Sequence, residues 1–245
     1  YGIGGDGIVL IENSAVADAK MRIFNKDGTE GRVGGNAIRC VGKYLYEKGI
    51  VPRREMKIET ANGINEVTVY SFNGKVNSAS VNLGKAELAG ENIPCVWKED
   101  KIVNKPATIG GKEYKVTLVN LGNPHCVVFS EKVDAVDVET VGPLFENCEY
   151  FPERINAEFI RVVNPTTIKM RVWERGNGET RACGTGCGSI VTALTLEGLV
   201  SGKNVKVSMP GGELFVTLTH ESGTAHDVYL TGPTCVVFEG ETKEI

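Results

Sequence analysis

MRIFNKDGTEGRVGGNAIRCVGKYLYEKG at residues 21–49 and MRVWERGNGETRACGTGCGSIVTALTLEG at residues 170–198 are one pattern written twice. Shifted by 149 positions without a gap, Met21-Arg22-Ile23-Phe24 falls on Met170-Arg171-Val172-Trp173. Glu30 then meets Glu179, Arg32 meets Arg181, Gly35 meets Gly184, Leu45 meets Leu194 and Gly49 meets Gly198. Hydrophobic character matches between the identities. The offset is far beyond the roughly 20–50 residues of a solenoid repeat, so it marks a duplicated domain. Each copy reads as a strand, a glycine-rich turn and a central helix surrounded by sheet.

The expected fold class is therefore α/β in the α+β sense. It has two pseudosymmetric domains, each a mostly antiparallel sheet or barrel wrapped around a central apolar helix. The first domain is expected over residues 1–84 and the second over 85–230, with a C-terminal strand at 231–245 crossing back to the first. The chain opens at Tyr1 inside a glycine-rich motif, and the first domain is expected to lack its true start.

Working outward, short stretches rich in Val and Ile and bounded by Gly, Asn or Pro read as strands. They are Gly7–Ile11, Ala19–Phe24, Lys57–Thr60, Glu66–Tyr70, Val76–Val81, Tyr114–Val119, His125–Phe129, Ala157–Val163, Thr167–Val172, Val205–Ser208, Leu214–Leu218 and Asp227–Leu230. Asn36–Lys48 and Gly184–Leu199 read as helices, apolar on every side in their first turns and so expected to be wrapped by protein. A third helix is expected near Val138–Phe145.

Composition excludes several classes. A net charge of −4 with scattered Lys and Arg argues against a nucleic-acid partner, and no apolar run reaches the length of a membrane span. Seven cysteines without a C-x-x-C pair read as reduced thiols in a cytoplasmic protein. Only three histidines are present, and none pairs with a cysteine at zinc-finger spacing, so no metal is expected. Gly2-Ile3-Gly4-Gly5-Asp6-Gly7 has the spacing of a dinucleotide loop, but the strand follows the glycines and no helix opens there, so the context is wrong.

Two related domains facing each other form a cleft, with two helix starts aimed at one ligand. Free N–H groups and the positive end of the helix dipole suit a carboxylate or a thiolate there. Ala182-Cys183-Gly184-Thr185-Gly186 puts a thiol at the second helix start, where its pKa is expected to fall and let it act as a base near neutral pH. In Trp173-Glu174-Arg175-Gly176, the arginine can clamp a carboxylate and the glutamate can receive an amino group. Gly122-Asn123-Pro124-His125 offers an acid–base imidazole. Gly34-Gly35-Asn36-Ala37 opens the first helix, with Asn36 either capping it or binding ligand. Taken singly, each has a plainer reading: a buried structural thiol, a surface ion pair, a structural histidine.

Tyr1–Gly7, Phe24-Asn25-Lys26-Asp27-Gly28, Gly35–Cys40, Gly122–His125, Pro152-Glu153-Arg154-Ile155-Asn156, Trp173–Gly176 and Ala182–Gly186 together resemble the diaminopimelate epimerase family across nearly the whole chain. The resemblance implies two pseudosymmetric α/β domains and no metal, pyridoxal phosphate or other cofactor. It implies interconversion of LL- and meso-diaminopimelate for lysine and cell-wall synthesis, in a cytoplasmic homodimer with a small amino-acid substrate. It makes Cys183 one of two acid–base cysteines, assisted by His125 and Glu174. Asn25, Asn123, Asn156 and Arg175 would bind the distal end of the substrate, with Gly35, Asn36, Gly184 and Thr185 holding the reacting carboxylate.

The sequence departs from that pattern at two places. The family's opening segment, which supplies another substrate-binding asparagine, is not represented. The family's other catalytic cysteine falls on Gly34, which the internal repeat independently aligns with Cys183. Cys40 lies about 9 Å further along the helix axis and cannot easily replace it. Two alternatives therefore accompany an epimerase: a racemase of another amino acid on the same scaffold, and an amino-acid-binding homologue with impaired catalysis.

Overall fold

The computed structural model describes residues 5, 7–25, 28–31, 34–220 and 226–241. Tyr1–Gly4, Asp6, Lys26, Asp27 and Arg32, on which the sequence reading drew, lie outside the described residues. The first copy of the repeat comprises β1 (Gly7–Glu12), β2 (Ala19–Asn25), β3 (Glu30–Gly31), α1 (Gly35–Glu47), β4 (Glu55–Thr60), β5 (Gly63–Phe72) and β6 (Lys75–Lys85). A connecting region follows with β7 (Lys105–Ile109), β8 (Lys112–Asn120), β9 (Pro124–Phe129) and α2 (Val138–Glu146). The second copy repeats the order: β10 (Asn156–Asn164), β11 (Thr167–Glu174), β12 (Gly178–Thr180), α3 (Gly184–Leu196), β13 (Val205–Met209), β14 (Gly212–His220) and β15 (His226–Pro233).

The duplication extends to strand register. Ile8 faces Phe24 in β1–β2, and 149 residues later Ala157 faces Trp173 in β10–β11. Ala19 pairs with Ile58 in the parallel β2–β4 step, and Ile168 pairs with Val207 in β11–β13. Met56 opposite Val67 recurs as Val205 opposite Val216, and Val67 opposite Val81 recurs as Val216 opposite Leu230. Strand register is set by which side chains must face the core, and a slip of one residue would turn each strand inside out. The repeated hydrophobic pattern has therefore kept the pairings as well as the elements.

The strands form one mixed, mostly antiparallel, open sheet in the order β1-β2-β4-β5-β6-β15-β14-β13-β11-β10-β9-β8-β7. The last strand joins the copies: β15 pairs with β14 on one side and with β6 on the other. The copies differ at one edge. β10 is covered by β9 in parallel, with Asn156 beside His125, whereas β1 ends the sheet and leaves Ile8, Leu10 and Ile11 exposed.

α3 is enclosed: Gly186 to Leu194 are all buried. α1 instead carries an exposed stripe at Asn36, Cys40 and Tyr44, four residues apart on one face. Its other face puts Ile38, Val41 and Leu45 into a core shared with Ile190, Val191 and Leu194 of α3. Both helices stop earlier than their apolar runs, because Gly49 and Gly198 take left-handed backbone angles of φ 70° and φ 71°. A second apolar cluster lies on the far face of β8–β10, where Phe145 of α2 packs among Ile109, Val116 and Phe159. No described helix is long and apolar enough to cross a membrane.

Candidate active site

α1 and α3 meet start to start. A Cβ placed on Gly35 would lie 3.7 Å from the Cα of Gly184, and one on Gly184 would lie 3.6 Å from the Cα of Gly35. Leu230 of β15 sits beneath both, 2.8 Å from the Gly184 position. Between the two starts a Cβ would make ordinary contact, and it is the Leu230 side chain, 2.8 Å from the Gly184 position and 3.2 Å from the Gly35 position, that a larger residue would have to displace. A helix start carries N–H groups that the helix itself cannot satisfy. The junction therefore concentrates the donors of Gly35, Asn36, Gly184 and Thr185 with two positive dipole ends, a setting suited to a carboxylate.

Asn36 does not cap α1. Gly34 is the N-cap residue, without a side-chain cap. The Asn36 amide spans the junction instead: Oδ1 accepts from Nη2 of Arg39 at 3.0 Å and Nδ2 points at the carbonyl of Ala182 at 3.5 Å. Buried Arg39 also donates to the carbonyl of Gly35 at 2.9 Å, and so fixes the side chain beside the helix start.

Cys183 is the N-cap of α3, and its sulfur accepts from the Gly186 N–H at 3.4 Å. The expected fall in its pKa is reversed. Burial pushes the thiol well above its ordinary value, and the charges of Glu174 and Glu158 push the same way. The Gly186 N–H and the Thr185 hydroxyl favour the thiolate but are outweighed. Desolvation and two carboxylates overcome the helix start, so Cys183 stands as a thiol.

His125 lies on β9 beside this thiol. Nδ1 meets Oε1 of Glu158 at 2.6 Å and Nε2 meets Oδ1 of Asn123 at 3.0 Å. His125, Glu158 and Cys183 offer donor atoms all within 4.8 Å of one another. An imidazole, a carboxylate and a thiol form a set that zinc accepts, but a metal between the first two would have to break their short hydrogen bond.

Glu174 accepts from the Thr180 hydroxyl at the end of β11 and faces Cys183 closely enough to act on its charge. The segment is anchored from behind by buried Glu146 of α2, which accepts from Trp173 Nε1 at 2.6 Å and from the Gly176 N–H at 2.9 Å. Arg175 is half-buried and donates to the carbonyl of Glu153 at 3.0 Å. Asn156 is buried, with Nδ2 on the carbonyl of Pro124 and Oδ1 on the N–H of Arg175. Its amide thus ties the Asn123–His125 turn to the Arg175 segment. Asn120, Gly122, Asn123, Glu153 and Arg175 line a cavity of about 540 Å³. Asn25 is exposed at the end of β2 and donates to Thr29 at 3.0 Å.

The fold thus gathers Cys183, His125, Asn123 and Glu174 around one helix start, with Gly35, Asn36, Gly184 and Thr185 at the junction. Three participants were missed in the sequence: Arg39, Glu146 and Glu158. Glu158 had a signal, being the one carboxylate of its strand, set between the apolar residues Ala157, Phe159 and Ile160.

A family model described as diaminopimelate epimerase matches residues 1–89 and 117–237. The chain is 45% identical over 241 residues to a diaminopimelate epimerase of Acetivibrio thermocellus, covering 98% of this chain and 85% of that protein. It is 43% identical over 241 residues to a diaminopimelate epimerase of Methanococcus maripaludis, covering 98% of this chain and 86% of that protein. Among solved structures, a hydroxyproline epimerase from Agrobacterium vitis aligns with a TM-score of 0.69 at 16% identity, covering 92% of this chain and 72% of that one. A Bacillus anthracis protein of the PhzF family aligns with a TM-score of 0.67 at 17% identity, covering 94% and 82%.

Proposed function

This chain belongs to the diaminopimelate epimerase family, and we propose that it catalyses interconversion of LL- and meso-diaminopimelate at the junction of α1 and α3. The substrate's reacting carboxylate sits on the N–H groups of Gly35, Asn36, Gly184 and Thr185. Fixed donors there stabilise the charge that develops when the Cα proton leaves. Cys183 faces Cα from one side. Glu174 and His125 with Asn123 border the reacting centre, while Asn25, Asn123, Asn156 and Arg175 serve the distal end. Asn156 contributes through the two backbone groups it holds. The observation that carries this reading is the head-to-head pair of helix starts with Cys183 as one N-cap.

We also infer a reaction independent of pyridoxal phosphate, in the cytoplasm and in a homodimer. The seven free thiols fit a reducing compartment, and the homodimer rests on the family resemblance. The division into domains 1–84 and 85–230 remains our reading. Return of the final strand to β6 supports it, although the pairing runs over Asp227–Pro233 rather than 231–245.

One observation favours a second reading, a binding protein with impaired catalysis. A Cβ on Gly34 would lie 2.9 Å from Cδ1 of Ile23 and 3.1 Å from Cβ of Ala37, so neighbouring atoms occupy part of the missing thiol's space. Deuterium uptake at Cα, followed by NMR in heavy water with a panel of amino acids, separates the two. Exchange of diaminopimelate supports the epimerase; binding without exchange of any amino acid supports the second reading.

A further inference from the structure

Glu158 is a buried carboxylate that the reaction set out above does not use. It stands on β10 where the first copy has Val9 on β1. Its side chain is 0% exposed, as is that of His125. Oε1 is 2.6 Å from Nδ1 of His125, and Oε2 has no hydrogen-bond partner among the described residues. A charge held in an apolar interior with half its acceptors unused destabilises the fold, and a valine at the matching site shows that β-sheet packing does not require it.

The surroundings show what it acts on. Asn156, Glu158 and Ile160 share the face of β10 that lies under α3, and His125 adjoins them from β9. A Cβ on Gly186 would lie 3.0 Å from Oε1 of Glu158 and 3.2 Å from Sγ of Cys183, so the carboxylate reaches the first turn of α3. The charged and titratable groups around Cys183 are His125 from β9, Glu158 from β10, Glu174 from β11 and Cys187 on the next turn of α3. Arg39 of α1 acts on Cys187.

We propose that Glu158 is a positioning residue for both His125 and Cys183. It holds the imidazole with Nδ1–H turned into the core, and its carboxylate, beside the first turn of α3, opposes negative charge on the Cys183 sulfur. Under the epimerase reading, on which this last meaning rests, Cys183 delivers a proton to Cα in its resting thiol form and removes one only after losing its own. The raised thiol agrees with this, since Glu158 is among its causes after burial and Glu174.

The test uses the whole chain and needs no turnover. Iodoacetamide labelling of Cys183 is followed by mass spectrometry across pH in the unaltered protein and in Glu158→Gln, which keeps shape and an acceptor but removes the charge. The midpoint of labelling is expected to fall in the variant, with roughly a tenfold faster reaction at neutral pH for each unit of fall. In parallel, ¹⁵N NMR of the unaltered protein is expected to show His125 protonated at Nδ1. An unchanged labelling profile in a folded Glu158→Gln protein overturns the role toward Cys183. An Nδ1 without a proton in the unaltered protein overturns the role toward His125, whether or not the variant folds. Failure of the epimerase reading shows separately, as absent Cα exchange in a protein that meets both expectations.

Discussion

Gly34 and Cys183 occupy one position in two copies of one fold. Each precedes a helix of 13 residues, and their backbones agree, at φ −125°, ψ 94° and φ −121°, ψ 112°. Their neighbours differ in a compensating way. Beside Gly34 stand Ile23 and Ala37, whose counterparts in the second copy are Val172 and Gly186, each smaller by one carbon, with Gly186 beside the Cys183 sulfur. Ile23 Cδ1 and the Ala37 Cβ are the atoms that a side chain at residue 34 would meet. The glycine is therefore accompanied by packing that takes up part of the thiol's volume.

Inversion at carbon needs a proton removed on one face and delivered on the other. With one thiol, the chain is expected to exchange a Cα proton of diaminopimelate faster than it inverts the centre. Gly34→Cys supplies the second group, and a positioned acid–base group is worth about 10²–10⁴-fold. Because overpacking costs about 1–3 kcal/mol, Gly34→Cys with Ile23→Val and Ala37→Gly, which copies the surroundings of Cys183, should invert faster than the single variant. Deuterium uptake and stereoisomer ratio, measured together, check both statements. Inversion already equal to exchange in the unaltered chain means that a second acid exists.

Much of this was legible because the signals were periodic. The twelve Val- and Ile-rich stretches read as strands each lie within one, since alternation between glycine, asparagine and proline stops is a local property, whereas the strand expected over 231–245 ends at Pro233. β3 and β12 were not read, being two and three residues of mostly polar sequence. β7 was hidden by Pro106, which a strand tolerates at a sheet edge, and β7 is the last strand of the sheet. The site was legible where residues cluster in motifs, as at Cys183 and Glu174. Glu146 and Glu158 act from other elements across the fold, and no spacing rule reports a contact set by packing. The protonation of Cys183 was misread for the same reason. Its helix start is local, while the burial and carboxylates that outweigh it are tertiary.

Substrate length tests the distal residues. Diaminopimelate carries a second carboxylate that lysine lacks, and Arg175 faces the cavity beside Asn123. Diaminopimelate should raise the Tm more than lysine at equal concentration, because a ligand that binds only the folded state stabilises it. Arg175→Ala should shrink the difference by weakening diaminopimelate alone. Equal shifts for both ligands in the unaltered chain would remove Arg175 from the distal pocket.

Buried thiols also set the response to alkali. Burial raises Cys126, Cys183 and Cys187 above the ordinary thiol value. Groups whose folded pKa is raised stabilise the protein below the unfolded value, about 8.5 for a thiol, and lose that contribution as pH climbs toward the folded value. Stability is therefore expected to fall above that pH by about 1.4 kcal/mol per unit for each such thiol. Cys187→Ala, with a lower stability throughout from its cavity, should show a shallower decline. Urea denaturation at several alkaline pH values measures the slopes, and equal slopes would mean that Cys187 does not hold its proton in the fold.

The same protonation governs the pH dependence of Cα exchange. Cys183 removes a proton only as a thiolate, and burial with the charges of Glu174 and Glu158 disfavours that form. The thiolate fraction in the folded protein therefore keeps increasing with pH beyond the range where an exposed thiol has fully ionised. Exchange of diaminopimelate should accordingly climb from neutral into alkaline pH by nearly tenfold per unit, until unfolding intervenes, and Cys183→Ser should abolish the climb. Labelling follows the same order: exposed Cys40 and Cys235 should react with iodoacetamide before Cys183 at neutral pH. A plateau in exchange at neutral pH, together with Cys183 labelling first, would show that the helix start does outweigh burial and the carboxylates in solution, and that Cys183 rests as the base.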